Sequence, residues 1–234
     1  MPLISVFPLT RKDGLRIFKP ATNVQKLSRA SHMGHTSLYI LKGPYRRMPA
    51  FYLTLQERTT CPTTCKAWEF CYGDHMPFAH RMNHTSKGFY PAIVHDLQHL
   101  QAAFPKGFVI RLHELGDFFS AAYVRFWRTS LKLYPALHIY GYTHTTGRLA
   151  NMIDHTQAKN PGRFHVMNSD NASKNSPRPK AIILDAFSSA IHKRLKTKTL
   201  EGRPICPEQT GRTPGCTTCG LCMDGKTEVN FLKH

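Results

Sequence analysis

Along this chain, short runs of β-forming apolar residues alternate with longer stretches in which apolar positions return at helical spacing. The runs fall at Ser37 to Leu41, Ala50 to Leu55, Gly107 to His113, Leu137 to Tyr142, Arg163 to Met167 and Ala181 to Asp185, and each reads as a strand. Between them, Ile93, Val94, Leu97, Leu100 and Ala103 share one helical face behind Pro91, a residue suited to a first turn. Tyr123, Phe126, Trp127 and Leu131 do the same behind Ser120, the N-cap of a helix expected to reach Tyr134. A third helix is expected after Gly147, running through Ile153. Strand alternating with helix implies βαβ units, so the expected fold class is α/β, a partial (β/α) barrel with parallel strands. Strand ends near residues 55, 113, 142, 168 and 185 are expected on one rim, where such folds hold their ligands.

The two ends break this rhythm. Residues 1–36, punctuated by Pro2, Pro8, Gly14, Pro20 and Gly34, read as an irregular basic arm with one short helix at Asn23 to Ala30. Residues 37–198 form the βα-repeat domain. Residues 199–234, rich in Gly, Pro and Thr, are expected to form a small cysteine-rich lobe organised by a bound cluster.

The rim positions carry candidate chemistry: Cys61 to Gly73, then His113-Glu114-Leu115-Gly116-Asp117, Thr143-His144 and Asn168-Ser169-Asp170. Any one of these also reads as a turn or a cap, and four in succession after strands weigh more than one. Cys61, Cys65 and Cys71 are one thiolate short of a closed four-cysteine site, so they borrow a fourth ligand or leave one metal position open. Cys206, Cys216, Cys219 and Cys222 complete a quartet, and their tight spacing favours a [4Fe–4S] cluster over zinc, which stays as the competing expectation. An odd count of seven and clustering at both ends argue against a disulfide framework.

Composition changes the picture in one respect. With 32 Lys and Arg against 14 Asp and Glu, the net charge is +18, which makes nucleic acid a candidate partner for the basic surface. The densest basic run, His192 to Lys198, reads equally as a solvated helix face. No run approaches the roughly 20 apolar residues of a membrane span, and Met1 to Thr10 is too short and proline-broken for a signal segment. A cytoplasmic protein without membrane contact is therefore expected. The absence of P-loop, HExxH and GxSxG patterns leaves ATPase, zincin and serine hydrolase readings without support.

A three-cysteine loop after the first core strand, an aromatic before the third cysteine (Phe70-Cys71) and the pair Gly116-Asp117 after the next strand resemble the radical S-adenosylmethionine superfamily. Here the cysteines are separated by three and then five residues, where that superfamily usually has three and then two. The resemblance implies an open-site [4Fe–4S] cluster on the trio, an auxiliary cluster on the quartet and S-adenosylmethionine as cofactor. It also implies an electron donor as partner, and a 5′-deoxyadenosyl radical that takes hydrogen from substrate. It places Glu114, Gly116 and Asp117 near the methionyl group and Asn168 or Ser169 near the ribose. Over most of its length the chain also resembles the phage gene product eighty-eight family, through Cys61 to Gly73, Glu114 to Ser120, Cys206 to Gly211 and Cys216 to Cys222. That resemblance implies the cytoplasm of an infected host. Two other functions compete: a nucleic-acid-associated phage protein with structural clusters, and Lewis-acid lyase or aldolase-type chemistry at an open iron without S-adenosylmethionine.

Overall fold

The computed structural model describes residues 14–20, 37–77, 79–184 and 198–233. The short helix expected at Asn23 to Ala30, residue Asp185 and most of the basic run His192 to Lys198 lie outside the described residues. A seven-stranded sheet organises the chain, in the order β1 (Lys19–Pro20), β2 (Ala50–Leu53), β3 (Phe108–Leu112), β4 (Leu137–Thr143), β5 (Phe164–Ser169), β6 (Lys180–Leu184) and β9 (Val229–Leu232). β1 runs antiparallel to β2, and all the other pairings are parallel. The six parallel strands curl into a half-barrel, as the alternation of strand and helix predicts. A separate hairpin pairs β7 (Thr199–Leu200) with β8 (Arg203–Pro204).

Period-two alternation along the strands divides the core in two. On the convex face, Phe108, Ile110 and Leu112 of β3 pack with α1 (Phe89–Ala103), α2 (Ala121–Leu133) and α3 (Gly147–Lys159) through Ile93, Leu97, Trp127, Leu131 and Ile153. The Ser120 hydroxyl accepts the Tyr123 amide at 3.1 Å, which is the expected cap of α2. On the concave face, Val109 and Tyr140 meet Ile40, Tyr45 and Met223, while Met167, Ala181 and Val229 meet Cys206 and Cys222. The C-terminal segment therefore fills the hollow of the half-barrel. Among the described residues no helix is long and apolar enough to cross a membrane.

The described part of the arm packs onto the domain: Leu15, Ile17 and Phe18 are buried, and the Asp96 carboxylate accepts the amides of Arg16, Ile17 and Phe18 at 2.8, 2.7 and 2.9 Å. Two expectations need correction. The run Ser37 to Leu41 contributes a single bridge, Tyr39 to Pro49, because the chain turns at once through Gly43 and leaves Tyr39 and Leu41 exposed. The tail, expected as a lobe apart, supplies β9, which extends the sheet beside β6. His165 clamps the preceding segment to the barrel, its Nδ1 meeting the Met223 carbonyl at 2.6 Å and its Nε2 the Pro161 carbonyl at 2.6 Å.

Candidate functional site

All six parallel strands end on one rim, and there the segments after β2, β3 and β4, with the C-terminal segment, line a cavity of about 190 Å³. Its wall takes Cys61, Cys65 and Cys71 from the loop after β2, Asp117 from the loop after β3, His144 after β4 and Ser169 at the end of β5. Cys206 and Cys216 reach the same cavity from the C-terminal segment. The two cysteine groups thus open onto one space, with Cys61 and Asp117 on the same side of the sheet.

The trio sits on consecutive single turns: Cys65 donates its amide to the Pro62 carbonyl at 3.0 Å, Trp68 to Cys65 at 3.1 Å and Asp74 to Cys71 at 3.0 Å. Such a loop needs bracing. Arg81 supplies it, gripping Glu57 through two bonds of 2.6 and 2.7 Å and reaching the carbonyls of Gly73, Met76 and Ala79. Burial pushes the Cys61 thiol up to about 12, and the neighbouring Asp117 adds to this. Burial raises Cys71 as well.

In the quartet, Cys206 is anchored when its amide donates to the Asn230 carbonyl at 2.8 Å, beside β9. Burial drives its thiol up to about 12, opposed by hydrogen bonds from the backbone of Gln209 and Glu208. Cys216 and Cys219 bound the one-turn helix α4 (Cys216–Cys219), and Gly220 then takes a left-handed φ of +69°. Only glycine fits there, since a Cβ would stand 2.3 Å from the Lys42 carbonyl oxygen. Burial also raises Cys216 and Cys222, opposed by Arg111 at the first and by the Tyr142 hydroxyl at the second. Without a bound cation these buried thiols stay protonated.

Other residues named from the sequence divide. Gly116 lies at φ +87°, where a Cβ would press on Thr60 Oγ1 at 2.5 Å and Leu55 Cβ at 2.6 Å, so its loop lies tight against the trio's. The Asp117 carboxylate is fully engaged by Thr143 Oγ1 at 2.5 Å, the Phe118 amide at 2.6 Å and the His144 amide at 2.8 Å. Ser169 faces the cavity. Glu114 instead accepts the Thr54 hydroxyl at 2.6 Å, and Asn168 closes its own loop by bonding both the carbonyl and the amide of Ser173; neither lines the cavity.

Two more residues of the site have definite places, His144, foreseen at the rim, and Arg111, not foreseen. His144 Nε2 lies 3.2 Å from Asp170 Oδ2. Burial opposes a charge on this ring, yet its bonds to Asp170 and Cys65, with Asp117 nearby, hold its pKa up at about 10. Arg111 projects from β3 into the hollow, its guanidinium 5.5 Å from the centroid of the Tyr142 ring. The signal for Arg111 was present: a lone cation within Phe-Val-Ile-Arg-Leu must face the side opposite Ile110 and Leu112.

Among the described residues, no three His, Cys, Asp or Glu side chains gather around a single-ion position. A single zinc would draw its thiolates to about 2.3 Å from one centre, whereas a cubane spreads them over separate irons. Unsatisfied polar atoms mark the quartet. The Tyr140 hydroxyl and Thr217 Oγ1 are buried without a hydrogen-bond partner among the described residues, and Tyr140 stands beside Cys216 and Cys222. A cluster with bridging sulfides is the kind of acceptor these donors lack, so the residues present fit one.

The family described as Gene product 88 matches residues 19–225. No curated protein and no solved structure matches the chain.

Proposed function

We propose that this chain, which belongs to the Gene product 88 family, is an iron–sulfur enzyme similar in its chemistry to the radical S-adenosylmethionine superfamily. The observation that carries the proposal is that both cysteine groups open onto one cavity at the carboxyl rim of a parallel half-barrel. Cys61, Cys65 and Cys71 would hold a [4Fe–4S] cluster with one open iron, and Cys206, Cys216, Cys219 and Cys222 a closed one. When bound, such an open-site cluster supplies the electron that cleaves a C–S bond of S-adenosylmethionine.

The chain's own residues have definable parts in this. Because the Asp117 carboxylate is spent on Thr143, Phe118 and His144, the backbone around Gly116 and not the acid would meet the methionyl group. Ser169, not Asn168, stands where a ribose hydroxyl would be bound. His144 fixes Cys65 from behind while Asp170 orients its ring, the outer-shell support that metal ligands commonly receive.

Anaerobic reconstitution with iron and sulfide counting tests the reading, followed by electron paramagnetic resonance with and without S-adenosylmethionine. About eight irons per chain are expected, about four of them lost in Cys65→Ala or in Cys219→Ala. S-adenosylmethionine should change the trio's signal and, with dithionite, yield 5′-deoxyadenosine. Near-stoichiometric zinc with little iron overturns the proposal, and a trio signal indifferent to S-adenosylmethionine leaves the Lewis-acid reading in its place.

A further inference from the structure

The two cysteine groups have different surroundings. Among the described residues, a cation and two phenols face the quartet from the barrel wall. Arg111, only 6% exposed, hydrogen-bonds Cys216 and lies over the Tyr142 ring. The Tyr142 hydroxyl bonds Cys222, and the orphaned Tyr140 hydroxyl stands beside Cys216 and Cys222. Register makes this a single patch, since Arg111 pairs with Tyr140 across β3 and β4, and Tyr142 follows two residues on along the same face. Glu208, near Cys216, and Glu114, near Tyr140, are acids on that side. Facing the trio are buried Asp117 beside Cys61, Glu57 and Asp74 near Cys71, and His144, which hydrogen-bonds Cys65. Three of these groups are paired, Glu57 with Arg81, Asp74 with Arg58 and His144 with Asp170.

We propose, on the strength of the two-cluster reading, that Arg111, Tyr140 and Tyr142 act as a donor set for the quartet's cluster. They raise its reduction potential above the value that the four thiolates alone would give it. Reduction adds a negative charge to a cluster that four thiolates have already made anionic. A buried cation and hydroxyl dipoles aimed at the sulfurs stabilise that added charge. The step is a one-electron transfer: a sulfur dioxide radical anion from dithionite is oxidised to sulfur dioxide, one ferric centre becomes ferrous, and no protein bond forms or breaks. Arg111 and the two tyrosines are positioning residues in this scheme.

The test is a redox titration of the full reconstituted chain followed by electron paramagnetic resonance, with Cys65→Ala isolating the quartet's signal and Cys219→Ala the trio's. Arg111→Met should lower the quartet's midpoint, Arg111→Lys should recover most of the loss, and Tyr140→Phe should move it the same way by less. The trio's midpoint should stay in place throughout. An unmoved quartet midpoint in Arg111→Met at undiminished iron overturns the inference. Should Arg111→Met fail to load iron, the near-isosteric Tyr140→Phe decides, and no shift there overturns it equally. A parent chain with zinc or no quartet signal overturns the cluster reading itself, an outcome distinct from an unmoved midpoint.

Discussion

The trio and the quartet are built in different ways. Cys61, Cys65 and Cys71 hang on a loop outside the sheet, held by side chains: the Glu57–Arg81 hub with its carbonyl contacts, Arg58 on Asp74 and the Trp68 carbonyl, and His144 on Cys65. The quartet is woven into the fold: Cys206 hydrogen-bonds β9, Cys206 and Cys222 pack in the concave core, and α4 bonds the 40–43 turn through the Leu41 amide and the Thr217 carbonyl at 2.8 Å. The difference teaches that the trio can be disturbed without disturbing the barrel, whereas the quartet and the barrel stand or fall together. A loop held by side chains suits a place where a ligand must enter; a segment packed into a core does not.

Breaking the hub should give the largest effect. Arg81→Met leaves the half-buried Glu57 charge without its partner, a loss on the order of 3 kcal/mol for such pairs. That loss should fall on the loop, so iron counting should show the trio's share gone and the quartet's kept. Equal loss from both groups would break the comparison. On the other side, Gly220→Ala forces a side chain into a left-handed conformation against the Lys42 carbonyl, costing about 2 kcal/mol. Here the thermal unfolding midpoint of the whole chain should drop along with the quartet's iron, while the trio's spectroscopic signal per folded molecule is unchanged.

The smallest effect belongs to the strand between the two regions. Burial, with Arg111 nearby, lowers the His113 pKa to about 3, and its Nε2 lies 2.8 Å from the Tyr123 hydroxyl. The ring is neutral in the fold and protonates near pH 6.5 once unfolded, so the unfolded state binds more protons below that pH. Stability is therefore full above pH 6.5 and falls as pH drops towards 3, by at most about 1.4 kcal/mol per pH unit from this group. Urea unfolding at pH 7 and pH 5 checks this, and His113→Gln should flatten the difference.

Much of the barrel was legible because its strands are runs of β-formers bounded by Gly, Pro and Asn, and its helices carry clear periodicity and, at Ser120, a cap. β9 was not, since Val-Asn-Phe-Leu is short and includes Asn230, whose side chain is buried and bonds the Leu200 carbonyl at 2.8 Å. The segment Leu15 to Phe18 was missed because its amides are satisfied by Asp96, far along the chain on α1, a partner no local pattern announces. At the site, the rim was foreseen from strand ends. What each polar group does there was not: Asp117, Glu114 and Asn168 are committed to neighbours that become neighbours only on folding, and the pairing of His144 with Asp170 joins the ends of two separate strands.

The placement of β9 beside β6 has a consequence for how the chain is made. On the ribosome β6 is complete long before β9 exists, and until residue 232 has emerged one edge of β6 offers unpaired backbone groups to any strand that passes. The cysteines of the quartet are translated within that interval, ahead of the strand that buries them. A nascent chain thus passes through a stage with an open sheet edge and four accessible thiols together, so slowing translation just short of β9 lengthens its most aggregation-exposed moment.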